Sequence, residues 1–180
     1  MSILISASAN DVFLIPINLV FWGFVIIYVL HILEESILPE VFVEKIKHRY
    51  FPDYNWKMFF WFNSFLLILN ISAVIVFEVK GGAWIILPLS LAVERVYNGF
   101  YHLVETIISR KYSSGLLTSV PSWILGYITV RYSLLKGEIQ TSHFLISAVI
   151  GFFIFSLMIF PLITGLLYKV YLLKDIFKKR

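Results

Sequence analysis

The sequence predicts an all-α membrane protein, a five-transmembrane-helix bundle with its N-terminus outside and its C-terminus in the cytoplasm. Hydrophobic residues make up 59% of the 180 positions and charged residues only 14%, which is outside the usual composition of soluble domains. The mean hydropathy is +0.86. Apolar runs of about 20 residues, the length that crosses a bilayer, alternate with short turns. We therefore expect a multi-pass integral protein of the cell membrane.

The boundaries of the spans follow from charged and turn residues. Lys80-Gly81-Gly82 and Ser113-Ser114-Gly115 are predicted turns. In the longest connection, apolar residues recur at helical spacing opposite Glu44, Lys45 and Lys47, which predicts an interfacial helix with a charged outer face. We expect one membrane domain over residues 1–180, with an interfacial helix at about 40–50 and spans at about 12–38, 58–77, 83–108, 116–135 and 144–173.

The distribution of lysine and arginine predicts the orientation. In a five-span chain three of these 15 residues lie on one side, Lys80, Arg131 and Lys136, and Arg95 falls inside a span. The other eleven lie in the first loop, the third loop and the C-terminal segment. Because the cytoplasmic side carries the excess of Lys and Arg, the C-terminus is expected in the cytoplasm.

Composition also excludes several classes of function. The chain has no cysteine, so it holds no disulfide, no thiol nucleophile and no Cys-ligated zinc or iron–sulfur cluster. The net charge of +4 is spread between apolar runs rather than over a solvated basic face, so we expect no nucleic-acid partner. Any metal must therefore be held by nitrogen and oxygen ligands.

Ionisable residues are costly at membrane depth, and here they cluster in two spans. The first carries His31, Glu34 and Glu35; the third carries Glu94, Arg95, Asn98, His102 and Glu105. At about 100° per residue, each group falls on one helical face. His31 and His102 each lie eight residues before the end of their span, so the two imidazoles should be level, about 12 Å from the cytoplasmic helix ends.

This set of side chains is typical of a carboxylate–histidine metal site for zinc, iron or manganese. The predicted ligands of this divalent metal are His31, Glu34, Glu35, His102 and Glu105. Glu34 is either a bridging ligand or a general base, and the other predicted catalytic residues are Glu94 and Asn98. Arg95 is expected to balance a carboxylate. The pocket for a membrane lipid or another apolar small molecule is expected to include Asn63, Arg95, Ser119 and Ser122.

The same residues permit three other functions. A metal-free acid/base site would use a protonated glutamate with a histidine partner, and small five-helix membrane isomerases that move double bonds in sterol-like lipids are similar in outline. An intramembrane Glu/His chain can also serve a proton- or ion-coupled transporter. The third is a structural polar network that fixes the helix register.

Three segments resemble the family of membrane proteins described by an HXXEE motif. These are His31-Ile32-Leu33-Glu34-Glu35, Asn98-Gly99-Phe100-Tyr101-His102 and Gly115-Leu116-Leu117-Thr118, so that the resemblance covers most of residues 12–135. It implies that His31, Glu34 and Glu35 are functionally important. It implies neither a reaction nor a substrate, because the family has no assigned activity.

Overall fold

The computed structural model describes residues 15–38, 42–136 and 139–178, with side chains at 15–38, 42–131 and 139–160. This part of the chain is all-helical, which confirms the predicted class. Positions 12–14 of the first predicted span and 40–41 of the interfacial helix lie outside the described residues. The helices are α1 Ile17–Ile37, α2 Phe42–Arg49, α3 Trp56–Lys80, α4 Ile86–Ser109, α5 Leu116–Lys136 and α6 Thr141–Lys178, with a 3-10 helix, Gly82–Ile85, before α4.

Local chemistry explains where the helices begin and end. Helix α1 ends at Ile37, and its C-cap Leu38 has the extended backbone (φ −73°, ψ 155°) that a following proline favours. The side chain of Asn55 caps α3 by accepting the backbone N–H of Met58 at 3.1 Å. At the other end of α3, Gly81 adopts φ +64°, which glycine tolerates without strain.

Helix α4 lies at the centre of the bundle. It packs against α1, α3, α5 and α6, while α1 also packs against α3 and α5. Helices α1 and α4 run in parallel: Phe21 and Leu89 share the apolar core near their N-termini, and His31 and His102 meet near their C-termini. The sequence therefore predicted correctly that the two histidine-bearing helices place their imidazoles at one level.

Three of the described helices are long and apolar enough to cross a membrane: α1, α3 and the Thr141–Phe160 part of α6. Their outer faces are apolar as well as exposed; Val79 is 75% exposed and Val149 71%. Exposed apolar surface of this extent is typical of contact with lipid. Helices α4 and α5 have similar lengths, 24 and 21 residues, but carry more polar side chains.

Helix α2 packs against the C-terminal end of α1 and against α6. The predicted short helix is present, but the placement of Lys45 on its charged outer face is wrong. Lys45 is only 8% exposed, because its ammonium group turns inward to pair with Glu105 of α4 at 2.7 Å. An amphipathic pattern cannot show that one lysine of the charged face has a buried carboxylate within reach.

Candidate metal centre

The parallel helices α1 and α4 bring three buried ligand side chains together: His31, Glu35 and His102. The Nε2 atoms of both histidines lie 3.6 Å from Oε1 of Glu35. Their ring centroids are 5.1 Å apart. One potential ligand atom from each side chain lies within 4.8 Å of the other two, so the group has the spacing of a metal site.

The hydrogen bonds around His31 determine which of its nitrogens carries the proton. Its Nδ1 lies 2.8 Å from Oγ1 of Thr118, and that hydroxyl donates its only proton to the carboxylate of Glu34 at 2.6 Å. Thr118 must therefore accept the bond from His31, so the proton is on Nδ1. The Nε2 lone pair is left facing Glu35, and this buried atom has no hydrogen-bond partner among the described residues.

His102 is oriented in the same way by Ser113. Its Nδ1 lies 2.9 Å from the Ser113 hydroxyl, which donates to Oε2 of Glu105. Glu105 acts as an acceptor because Lys45 donates to the same oxygen at 2.7 Å. Ser113 therefore accepts from the Nδ1–H of His102, and the Nε2 lone pair of this ring also faces Glu35.

Two imidazole lone pairs and a carboxylate oxygen thus converge with no donor between them among the described side chains. Buried acceptors in this arrangement repel one another unless a cation or a shared proton lies between them. In a tetrahedral site with bonds of about 2.0–2.1 Å, ligand atoms are about 3.3–3.4 Å apart. The observed 3.6 Å is within a few tenths of an ångström of that spacing. The three residues therefore fit a divalent metal, with the two hydroxyls fixing the rings as outer hydrogen-bond partners typically do.

The carboxylate of Glu34 binds the first turn of α5 instead of entering this cluster. It accepts the backbone N–H groups of Gly115, Leu117 and Thr118 at 2.7, 3.1 and 2.8 Å, together with the hydroxyls of Thr118 and Tyr112. Helix N-termini favour anions because their N–H groups are unpaired and the helix dipole is positive there. Glu34 therefore fixes the start of α5, and with it the hydroxyl that orients His31.

Gly115 closes the site from the side of α5. Its φ of +110° is rarely accessible to other residues. A Cβ at this position would lie 2.6 Å from Nε2 of His102 and 2.6 Å from Cε1 of His31. The backbone of Gly115 therefore reaches the two imidazoles only because it carries no side chain.

The other predicted ligand, Glu105, lies outside the cluster. Its carboxylate pairs with Lys45, and Arg49 lies 3.6 Å away. Glu94 pairs in two places with the adjacent Arg95, at 2.5 and 2.6 Å. Each of these buried carboxylates pairs with a cation. The carboxylate of Glu35 instead faces two imidazoles, those of His31 and His102.

A cavity of about 90 Å³ opens beside the three ligands. Of the predicted pocket residues, Asn63 and Arg95 line it, and so does Asn98. The Oδ1 atom of Asn98 and the hydroxyl of Tyr101 are buried without a hydrogen-bond partner among the described residues. These two polar atoms are free to bind a molecule in the cavity.

Ser119 and Ser122, also predicted for the pocket, are buried but bond within their own helix region. Their hydroxyls donate to the carbonyls of Gly115 at 2.6 Å and Thr118 at 3.0 Å. Neither lines the described cavity. Their hydroxyls are used by backbone carbonyls at the start of α5. Asn98 and Tyr101 are therefore the better-placed contacts for a bound molecule.

Two tyrosines in the connecting segments have raised pKa values. Burial raises the pKa of Tyr112 from 10.0 to about 12, and its hydrogen bond to the Glu34 carboxylate acts in the same direction. Burial also raises the pKa of Tyr54, and the charge of Glu35 adds to that effect. Both phenols therefore remain protonated at neutral pH, so Tyr112 stays a hydrogen-bond donor to Glu34.

Sequence reasoning missed Lys45, Tyr112, Ser113 and the close approach of Gly115. Ser113 was assigned only to a turn, and Gly115 to that turn and to a segment shared with the family, although a Ser-Ser-Gly segment before a helix is also a signal for a helix start. The sequence offered one signal that Lys45 could pair with a glutamate: it lies in the connection that follows the Glu-rich end of the first span. Neither pattern reveals which buried group it contacts.

Comparison with known proteins supports the assignment from motifs. The model of a family described as "Protein of unknown function with HXXEE motif" matches residues 22–130, which is more than half of the chain and contains all three clustered ligands. No curated protein and no solved structure is significantly similar to the chain. The matched region includes α5 as far as residue 130, and the first turn of this helix holds Glu34 of the motif. The chain belongs to this family of HXXEE-motif proteins.

Proposed function

We propose that this chain is an integral membrane protein that binds one divalent metal through His31, Glu35 and His102. The observation that carries the proposal is the convergence of two Nε2 atoms on the Glu35 carboxylate, each 3.6 Å from its Oε1. The hydrogen bonds of the two Nδ1 atoms assign the protons to Nδ1 and leave both Nε2 atoms unprotonated. A divalent cation compensates that buried negative charge and satisfies both lone pairs. The HXXEE motif then has a physical meaning: its histidine and final glutamate bind the metal, and Glu34 anchors α5.

Two imidazoles and one carboxylate suit zinc, iron and manganese. Sites with three protein ligands leave at least one coordination position open, whereas structural zinc sites are usually closed by four. An open position beside a cavity favours catalysis over a purely structural role. When bound, the metal would supply a Lewis acid or an activated water.

We infer that the reaction is performed on a lipid or another apolar molecule. Aromatic and aliphatic side chains, among them Phe42, Phe62 and Phe155, form much of the cavity wall, and Asn98 and Tyr101 offer polar contacts next to the ligands. These two residues would orient the reacting group. Glu34 and Glu105 are left out of the proposed ligand set because donors or cations already engage their carboxylates.

We also propose the five-span topology, with the N-terminus outside and the C-terminus in the cytoplasm of the cell membrane. Helices α4 and α5, with 24 and 21 residues, are about 36 and 32 Å long at about 1.5 Å per residue. Both lengths match a hydrocarbon core of about 30 Å. Their buried polar side chains, among them Glu94, Arg95 and Thr118, lie inside the bundle, which removes the cost of placing them at membrane depth.

The experiment is elemental analysis of the purified full chain in detergent, with the variants His31→Gln and His102→Gln. The wild-type protein is expected to contain close to one metal ion per chain, and each variant to lose it. His48→Gln is the matched control, because its side chain is 78% exposed and is not one of the three clustered ligands. Wild-type protein that stays metal-free after growth and incubation with zinc, iron and manganese would refute the metal centre and favour the acid/base site or the structural polar network.

A further inference from the structure

The wall of the polar cavity continues into an apolar groove between α3 and α6. Phe62 of α3 and Met158 of α6 line both the cavity and the groove. The groove has a volume of about 380 Å³ and only apolar lining, including Leu66, Leu69 and Ile154. Because α3 and α6 make little direct contact along their described parts, the space between them faces the surrounding lipid.

The groove has a defined direction relative to the charged end of the bundle. From Phe62 it follows α3 to Leu69, and from Met158 it follows α6 back to Ile154, so both walls lead away from α2. The α3 part from Phe62 to Leu69 spans seven residue steps, about 10 Å of helix. A polar head in the cavity would thus lie near the helix end marked by α2, and an attached hydrocarbon chain would extend toward the middle of the bundle. This is the orientation of a lipid in one leaflet.

The charges around the cavity indicate which polar head group of an amphiphile it can bind. Arg95 and Lys45, its nearest buried cations, are already paired with Glu94 and Glu105. In the metal-free chain an anionic head would therefore bring further negative charge beside Glu35 with no unpaired buried cation to meet it. Asn98 offers an acceptor and Tyr101 a hydroxyl, one helical turn apart on the same helix. A neutral hydroxyl, which both donates and accepts, satisfies both.

We propose that the site takes a single-chain amphiphile with a neutral hydroxyl head, which enters from the bilayer between α3 and α6. The head binds at Asn98 and Tyr101, and the chain lies in the groove. This inference names a substrate class for the proposed function and rests on it for the chemistry, but binding in the groove does not require the metal. The two can therefore fail separately.

The test uses the full chain in phosphatidylcholine nanodiscs with a long-chain alcohol that carries a photoreactive diazirine in mid-chain. Mass spectrometry should find the label on residues 62–69 and 154–158, with unlabelled alcohol competing for it. Ile154→Trp fills the groove and should reduce this labelling by about tenfold, which corresponds to about 1.4 kcal/mol of binding free energy. Val149→Trp, an exposed position on the same helix, should label like the wild type.

Several outcomes would overturn the inference. They are labelling spread evenly over the lipid-facing helices, equal labelling of the chelated chain by the matched fatty acid, and cross-links between two copies of the chain at the groove. Each experiment is repeated after chelation. If the groove is labelled in a chain that never binds metal, the amphiphile site is supported and the metal centre is refuted. If the chain binds metal but the groove is not specifically labelled, the metal centre is supported and the amphiphile site is refuted.

Discussion

Replacement of Glu35 by glutamine distinguishes a metal site from a proton-sharing network, because the side chain keeps its shape and loses its charge. In the metal-bound protein an amide is a poor ligand. The loss in affinity should exceed the roughly 10–100-fold that removal of an outer hydrogen-bond partner costs, or about 1.4–2.7 kcal/mol. With metal in excess, Glu35→Gln should therefore be less stable than the wild type.

Without metal, the order of the two stabilities should reverse. The glutamine amide can donate toward an Nε2 atom that lies 3.6 Å from the carboxylate oxygen in the wild type, and the buried negative charge is gone. Relief of an unsatisfied buried acceptor is worth roughly 1–3 kcal/mol, so the variant should be the more stable protein after chelation. Thermal unfolding in detergent, with excess zinc and with chelator, measures both orders. A variant that is destabilised to the same extent in both conditions would refute the reasoning.

Three further variants test the groups that orient the site. Gly115→Ala places a Cβ 2.6 Å from ring atoms of both imidazoles at φ +110°, so it should lose bound metal and roughly 1–3 kcal/mol of stability, as elemental analysis and thermal unfolding would show. Thr118→Val removes the hydroxyl that accepts from one imidazole; chelator competition should find metal affinity lowered about 10–100-fold, and an unchanged affinity would count against the assigned tautomer. The pKa of Tyr112 is raised in the folded state, so its hydrogen bond to Glu34 stabilises fully below about pH 10 and is lost as the pH rises through about 12. Thermal unfolding of the wild type should show that decline, and Tyr112→Phe should lack it; identical profiles would contradict this contribution.

Periodicity and spacing were sufficient to predict the helices and the meeting of the imidazoles. Long apolar runs define α1, α3 and α6, and an equal distance from the helix ends placed His31 and His102 at one level. Such inferences succeed because helical rise and rotation are fixed, so sequence distance converts directly to depth and direction. Glu35 joined the cluster for the same reason.

The roles of the remaining carboxylates depended on partners far away in the sequence. Glu34 and Glu35 are neighbours in the motif, yet one meets the first turn of α5 and the other meets two imidazoles. Glu105 was predicted as a ligand by its helical face, but Lys45, 60 positions away, neutralises it. Periodicity on one helix gives the direction of a side chain and not the charge that another element presents to it.

X-ray absorption spectroscopy of the metal-bound chain tests the central claim most directly, because it reports the identity and distance of the ligand atoms. A centre formed by His31, Glu35 and His102 should give nitrogen and oxygen ligands at about 2.0–2.2 Å with the scattering of two imidazoles. The Glu35→Gln variant should bind less metal, and the metal that it still binds should show imidazole scattering. A metal spectrum without imidazole scattering, or with the same scattering after both histidines are replaced, would contradict a centre at this position.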